Sequence, residues 1–186
     1  MRIKGTALLA RKKFIENAFG EGAWRKLIED LRGEYPSLGE PLTAATLYRV
    51  GDFLAMHDEI VRRFYGGDEG IYVKLGEQSA EWALTQGPYK SFMMRKDVKS
   101  FVDSFPSLWS AYFHETESTG TVTLTGNSIV LEARNLPVWH PYFEYLVAGY
   151  LKKGLELLGA KVTMRQIEGG PNAEKGFKYE FELTND

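Results

Sequence analysis

Apolar residues recur at helical spacing through most of the first 115 positions of the chain. This pattern predicts helices over residues 8–19, 21–31, 44–64, 70–84 and 97–113. Gly51 is a candidate break in the third helix, and Pro106 should kink the fifth or split it in two. The N-terminal region is therefore expected to be helical.

After Thr116 the apolar residues alternate instead. Two β-rich runs, 120–125 and 128–134, flank Gly126–Asn127, which is typical of a hairpin with a tight two-residue turn. A long helix over 137–159 follows, and then strands over 161–167 and 177–183. The C-terminal region therefore has the order ββαββ.

Separate runs of helices and antiparallel strands predict the α+β class. We expect the helical part (1–115) to pack on a four-stranded antiparallel sheet in the second part (116–186). The helices are the obvious cover for the apolar face of that sheet. The whole chain, 1–186, is predicted to be a single domain.

Composition excludes several function classes. The 186 residues include 23 Lys and Arg against 25 Asp and Glu, so the net charge is −2 and nothing favours a nucleic-acid partner. Cysteine is absent, which excludes thiolate zinc sites, iron–sulfur clusters and cysteine nucleophiles. No apolar run approaches the roughly 20 residues of a membrane span, and the N-terminus makes a poor signal peptide. We predict a cytoplasmic protein.

Few residues suggest catalysis. The three histidines, His57, His114 and His140, form no zinc-binding pair, and no phosphate-loop or nucleophile-elbow motif occurs. His57 is interpreted as a surface residue and His114 as a helix-end cation. His140, between Trp139 and Pro141, is either a packed helix-start residue or a polar handle in a pocket. We therefore predict no enzyme, no catalytic residue and no metal or cofactor.

Aromatic residues are numerous in and beside the helices that must cover the sheet. They have two interpretations: a solid core, or the lining of an apolar cavity with a few polar tips. The candidate ligand-binding residues are Phe101, Trp109, His140, Phe143 and Tyr150.

Several segments resemble a known superfamily. They are Ile3–Arg11, Phe19–Arg25, Pro106–Phe113, Gly120–Leu124, Asn135–Ala160 and Phe177–Phe181. Together they resemble the 4-vinyl-reductase-like domains, especially an uncharacterised paralogous family from myxobacteria. The first two segments also resemble the start of haem–nitric-oxide-binding domains.

This resemblance implies an α+β module, commonly dimeric, that senses small hydrophobic molecules in an apolar pocket between helices and sheet. Many 4-vinyl-reductase-like domains carry zinc-binding cysteines where this chain has Glu144 and Phe177, so that zinc site should be missing. The haem domains carry a Tyr-x-Ser-x-Arg motif that holds the haem propionates. The comparable strand here is Val130–Arg134, with the arginine but neither the tyrosine nor the serine.

Three hypotheses follow. The first is a non-enzymatic sensory protein that binds a small hydrophobic ligand. The second is a homodimeric interaction or scaffold module with a protein partner and purely structural aromatics. The third is a haem-dependent gas sensor that uses His114 or His140 as the iron ligand.

Overall fold

The two periodicities of the sequence correspond to helices and to a four-stranded antiparallel sheet, which confirms the α+β class. The structure is a computed structural model that describes residues 1–173 and 175–184. Their contacts cluster into a first unit, Met1–Ile71 with Tyr112–Thr116, and a second unit, Tyr72–Ala111 with Glu117–Asp186. A single domain spanning both stays a prediction.

The first unit combines helices with a small sheet. Its elements are β1 (Arg2–Lys4), α1 (Gly5–Phe19), α2 (Glu21–Leu31), a 3-10 turn (Pro36–Gly39), β2 (Leu47–Arg49), α3 (Val50–Tyr65) and β3 (Phe113–His114). The strands pair antiparallel in the order β2-β1-β3. The expected helix over 44–64 was wrong at its start, because residues 47–49 pair with β1 and the helix begins only at Val50.

The core of the first unit comes from one face of each helix. Its fully buried apolar side chains include Ile15 of α1, Leu27 of α2, and Phe53 and Ile60 of α3. Gly20 ends α1 with a φ of 96°, a backbone conformation that side chains other than glycine rarely adopt. The next helix therefore starts immediately at Glu21.

The second unit contains the predicted ββαββ segment. Its elements are α4 (Ile71–Thr85), a 3-10 turn (Lys90–Met93), α5 (Val98–Tyr112), β4 (Thr119–Thr125), β5 (Ser128–Arg134), a π-helix (Tyr142–Leu146), α6 (Val147–Leu157), β6 (Lys161–Glu168) and β7 (Phe177–Thr184). The first residue of α4 and the last of α5 belong to the first unit. Of the two alternatives predicted for Pro106, the split was wrong, because α5 continues through it as one helix.

The four strands of the second unit form an antiparallel sheet in the order β4-β5-β7-β6. Thr125 pairs with Ser128, so the hairpin turn is the predicted Gly126–Asn127. Period-two alternation gives the sheet one buried face, with Ile129 opposite Phe181 and Leu131 opposite Tyr179.

Glycines bring the helices of this unit close to their neighbours. A β-carbon at Gly154 of α6 would clash with the ring of Phe101 in α5, and one at Gly120 of β4 would clash with the ring of Trp109. Helix α5 therefore contacts both α6 and the sheet. No helix in the described part of the chain is long and apolar enough to span a membrane.

Candidate functional site

A π-helix introduces the most unusual polar group of the second unit. The chain leaves β5, passes Pro141, whose missing N–H suits a helix start, and enters the π-helix Tyr142–Leu146. Here Nδ1 of His140 accepts the backbone N–H of Tyr142 at 3.0 Å. Wide turns of this kind occur often at functional sites, because the extra residue points a side chain in a new direction.

Glu144, at the middle of this π-helix, is fully buried. Its carboxylate accepts four hydrogen bonds. The donors are Trp139 Nε1 at 2.6 Å, Gln166 Nε2 at 2.6 Å, the Gly170 backbone N–H at 2.8 Å and Tyr179 Oη at 3.1 Å. No lysine or arginine of the described residues pairs with it. The buried charge is therefore held entirely by neutral donors.

We call Glu144 and these four donors the Glu144 cluster. It joins the π-helix to the preceding loop, to both strands β6 and β7, and to the turn between them. A β-carbon at Gly169, whose φ is 153°, would clash with Oε1 of Glu144, so this close approach requires glycine. The cluster thus fixes where the β6–β7 turn crosses the start of the helix.

The cluster also changes the chemistry of Tyr179. Burial, and next the charge of Glu144, raise the pKa of Tyr179 above its ordinary value of 10.0. A carboxylate offers about four lone-pair positions, and all of them are taken by donors here. Glu144 therefore acts as a positioning group, with no lone pair left to accept a proton from a substrate.

The structure places all five predicted ligand-binding residues in the second unit. Phe101, Trp109, Phe143 and Tyr150 are buried, whereas His140 is half-buried. Trp109 donates from Nε1 to Ser118 Oγ at 3.3 Å. Their role as ligand-binding residues stays a prediction.

Two of these residues lie next to the Glu144 cluster. Phe143 precedes Glu144 in the π-helix. Its ring packs edge-to-face against that of Tyr142, with the ring centroids 5.5 Å apart. His140 contacts Tyr72 edge-on at 5.8 Å, and its carbonyl accepts the N–H of Phe143 at 2.9 Å. The structure thus brings His140 and Phe143 to the same helix start.

The interpretation of His57 as a surface residue was wrong, because its side chain is fully buried in the first unit. Its Nδ1 donates to the Phe53 carbonyl at 3.1 Å, and its Nε2 accepts from Nε of Arg11 at 3.3 Å. Arg11 is buried as well. The sequence signal was present: His57 follows Phe53 by four residues on the apolar face of α3.

The sequence interpretation considered Glu144 only as a replacement for a zinc-binding cysteine and missed its role in the cluster. One signal could have found it: it is the single charge in the apolar run from Tyr142 to Leu151. Charged side chains are rarely buried unless their partners are supplied by the fold. No group of three or more potential metal-binding side chains occurs among the described residues.

The whole fold matches known structures. The chain aligns with an H-NOX protein from S. oneidensis in the Fe(II)NO ligation state, with a TM-score of 0.79, 13% identity, and coverage of 98% of this chain and 100% of that one. The chain has the H-NOX fold. A mutant H-NOX from K. algicida, Fe(II) and unliganded, aligns with a TM-score of 0.73 and 14% identity over 99% and 98% of the two chains.

A third similar structure, with a TM-score of 0.73 and 12% identity over 98% and 96% of the two chains, comes from work on modulating haem redox potential through protein-induced porphyrin distortion. No protein-family model and no curated protein sequence matches the chain. The resemblance to haem–nitric-oxide-binding domains is thus confirmed at the level of the fold. The closer resemblance to 4-vinyl-reductase-like domains stays a prediction.

Proposed function

We propose that the chain is a non-enzymatic sensory domain that binds a small hydrophobic molecule in its second unit. The observation that carries this proposal is the alignment, over essentially the whole of both chains, with H-NOX structures determined in different ligation states. At this identity the alignment supports the scaffold, so the ligand must be argued from the residues of this chain.

Those residues favour an apolar ligand. Phe101, Trp109, Phe143 and Tyr150 lie on the helices and the π-helix that pack in the same unit as the sheet. Beside them the Glu144 cluster holds the helix start rigidly, and His140 supplies a polar group. Buried apolar side chains, one polar group and a well-braced helix start are the components from which small-molecule sites are usually built.

The haem of the similar proteins does not fit the corresponding residues here. In the strand where the resemblance implies Tyr-x-Ser-x-Arg, this chain has Val130, Glu132 and Arg134. Nε of Arg134 pairs with Glu132 at 2.6 Å and its Nη2 with Glu168 at 3.0 Å, so two carboxylates already occupy the guanidinium. Of the two candidate iron ligands, His140 already uses Nδ1 to accept the backbone N–H of Tyr142 at 3.0 Å. The residues present therefore do not fit a haem held in the way that the resemblance implies.

Tryptophan indole N–H signals in nitrogen-15 NMR spectra test ligand binding. Trp109 and Trp139 report on the second unit, because their indoles donate to Ser118 and Glu144, whereas Trp24 reports on the first unit. Indole, dodecanoate and geraniol serve as probes, and native mass spectrometry detects a co-purified ligand. We expect saturable shifts of the Trp109 or Trp139 signal while that of Trp24 stays in place.

Substitution at one predicted contact sharpens this test. Phe101→Leu should weaken the binding of the best probe by about tenfold, because an apolar site loses affinity with each contact removed. The matched variant is Phe64→Leu, which removes a ring of the same size in the first unit and should leave affinity unchanged. Equal shifts of all indole signals, or no saturable shift and no co-purified ligand, would contradict the proposal.

Absorbance spectra test the haem alternative, which the similar structures favour. The chain is produced with a haem precursor, alongside the variants His140→Ala and His114→Ala. A Soret band that is lost only on one of these substitutions would identify the iron ligand. Absence of the band after reconstitution would eliminate this alternative.

The homodimeric interaction module is the remaining alternative. The exposed side chains Val138 and Ile167, both about half accessible in the second unit, are the observation that favours it. Sedimentation across a concentration range tests it, with Val138→Ser/Ile167→Ser as the comparison. A dimer that these substitutions dissociate, in a chain that binds none of the probes, would favour this alternative over the sensor.

A further inference from the structure

Two arginines face each other across the small sheet of the first unit. In the antiparallel pairing of β1 and β2, Arg2 lies directly opposite Arg49. Side chains at directly opposed positions project from the same face with β-carbons about 5 Å apart, and like charges there destabilise the sheet. This arrangement needs an electrostatic compensation.

Among the residues that the structure describes, an ion pair compensates one of the two charges. Nε of Arg2 donates to Oε2 of Glu115 at 3.1 Å, in a pair whose members are both about half exposed. Arg49 is exposed, and within the described residues it has no ion pair. One guanidinium is thus left to bind an anion from outside the chain.

The two arginines also share a concave surface. Two adjoining depressions, each with a volume of about 470 Å³, are both lined by Arg2 and Arg49. Ser37 and Thr46 also line the first depression, and Gly51 lines the second. Together the depressions leave room for a small ligand beside the two arginines.

One hydroxyl in the first depression lacks a partner. Oγ of Ser37 is buried and makes no hydrogen bond within the described part of the chain, so its O–H lacks an acceptor. The neighbouring Asp52 carboxylate accepts the Ser37 backbone N–H at 3.0 Å, so that N–H is not available to a ligand. An unused buried donor beside an unpaired arginine is a second, independent sign of a missing acceptor.

We propose that this surface, which we call the Arg2–Arg49 site, binds a small phosphate monoester or phosphate dianion. Guanidinium groups keep their charge at all physiological pH values and bind phosphate oxygens through paired N–H donors. The carboxylates of Glu40 and Glu115 at the rim disfavour an extended polyanion such as nucleic acid. This inference is independent of the apolar ligand proposed for the second unit.

Titration with inorganic phosphate and with phenyl phosphate, followed through the backbone amide signals of Ser37 and Gly51, tests the proposal. Sodium chloride at equal ionic strength is the control for screening. We expect saturable shifts with both phosphates and none with chloride. Arg49→Gln should weaken phosphate binding by about tenfold or more, since a hydrogen bond to a charged group is lost.

Three further variants distinguish specific binding at the Arg2–Arg49 site from nonspecific attraction of phosphate to positive charge. Arg32→Gln removes another exposed arginine of the first unit and should leave binding unchanged. Arg49→Lys should give intermediate affinity, because it keeps the charge but loses the paired donors. Ser37→Ala should weaken binding by a few fold, and circular dichroism confirms that each variant is folded.

The proposal is overturned if chloride reproduces the shifts, or if Arg49→Gln and Arg32→Gln have the same effect. Vesicles containing phosphatidic acid distinguish a lipid headgroup from a free phosphate. Binding to these vesicles that depends on Arg49, without binding of either soluble phosphate, would also overturn the assignment of a small soluble ligand.

Discussion

Gly76 of α4 and Gly149 of α6 lie at one close crossing of two helices in the second unit. A β-carbon at Gly76 would clash with the carbonyl oxygen of Leu146, and one at Gly149 would clash with the carbonyl of Val73. Each helix therefore presses against the backbone of the other where it lacks a side chain. The π-helix ends at Leu146, so this crossing also holds the start of α6 next to Glu144.

Alanine at either glycine should destabilise the second unit strongly. Backbone atoms cannot move aside as a flexible side chain can, so we expect Gly149→Ala to cost about 3 kcal/mol, as other overpacked cores do. Urea denaturation measures the free energy of unfolding. The control is Gly22→Ala in α2, where the added methyl group meets nothing within 4 Å and should instead stabilise by about 0.5 kcal/mol. Equal effects at both positions would contradict the close crossing.

The sequence predicted the ββαββ sheet because alternation over seven or eight residues and a Gly–Asn turn are local signals. It missed the small sheet of the first unit, since β1 and β3 contain only three and two residues and are paired across more than 100 positions. The periodicity of apolar residues cannot reveal a strand of two or three residues.

The Glu144 cluster was beyond sequence reasoning for a related reason. Its carboxylate is joined to donors 22, 26 and 35 residues further along the chain, and only the folded strands bring them together. The burial of Phe101, Phe143 and Tyr150, in contrast, follows from their place on the apolar faces of their helices. That these three residues belong to the same unit could be learned only from the structure.

Replacement of Glu144 by glutamine should destabilise the second unit by about 2 kcal/mol. All four partners of the carboxylate donate hydrogen bonds. In glutamine an NH₂ group replaces one of the two acceptor oxygens, so a donor would stand where these partners now find an acceptor. Thermal and urea unfolding of Glu144→Gln measure the loss. The comparison is Glu77→Gln, which removes a part-buried ion pair with Lys152 in the same unit and should cost no more than about 1 kcal/mol.

A double-mutant cycle isolates one bond of the cluster. Tyr179→Phe removes a single donor while keeping the ring, and in a Glu144→Gln background its effect should be smaller than in the native chain. Additive effects of the two substitutions would show that the hydroxyl of Tyr179 does not interact with Glu144.

Lowering the pH should reduce the unfolding free energy of the first unit, because Glu59 becomes protonated. Hydrogen bonds from Arg62 lower the pKa of Glu59 from 4.5 to about 2. Burial acts in the opposite direction and raises this pKa, whereas Arg63 lowers it further. A carboxyl group whose pKa is lowered in the folded state stabilises the fold above pH 4.5, and this contribution is lost as the pH falls towards 2. Because Arg62 is largely exposed, solvent reduces the contribution to about 1 kcal/mol.

Unfolding free energies measured from pH 6 to pH 2 test this contribution. The difference between the native chain and Glu59→Gln should shrink across that interval, since the glutamine variant has nothing to titrate there. Glu29→Gln, at an exposed position without an ion pair within the described residues, is the comparison variant. A difference for Glu59→Gln that does not change with pH would refute the role of the Arg62 and Arg63 pairs.

His57 should be neutral and carry its proton on Nδ1. Arg11 can only donate, so the His57 Nε2 that accepts from it at 3.3 Å must be unprotonated, while Nδ1 donates to the Phe53 carbonyl at 3.1 Å. Long-range nitrogen–proton NMR spectra distinguish the two tautomers. Because a buried guanidinium would lose this acceptor, His57→Phe should destabilise the first unit by about 2–3 kcal/mol, whereas the more exposed His114→Gln should cost under about 0.5 kcal/mol. A proton found on Nε2, or equal effects of the two substitutions, would mean that the buried Arg11–His57 pair does not support the helical core.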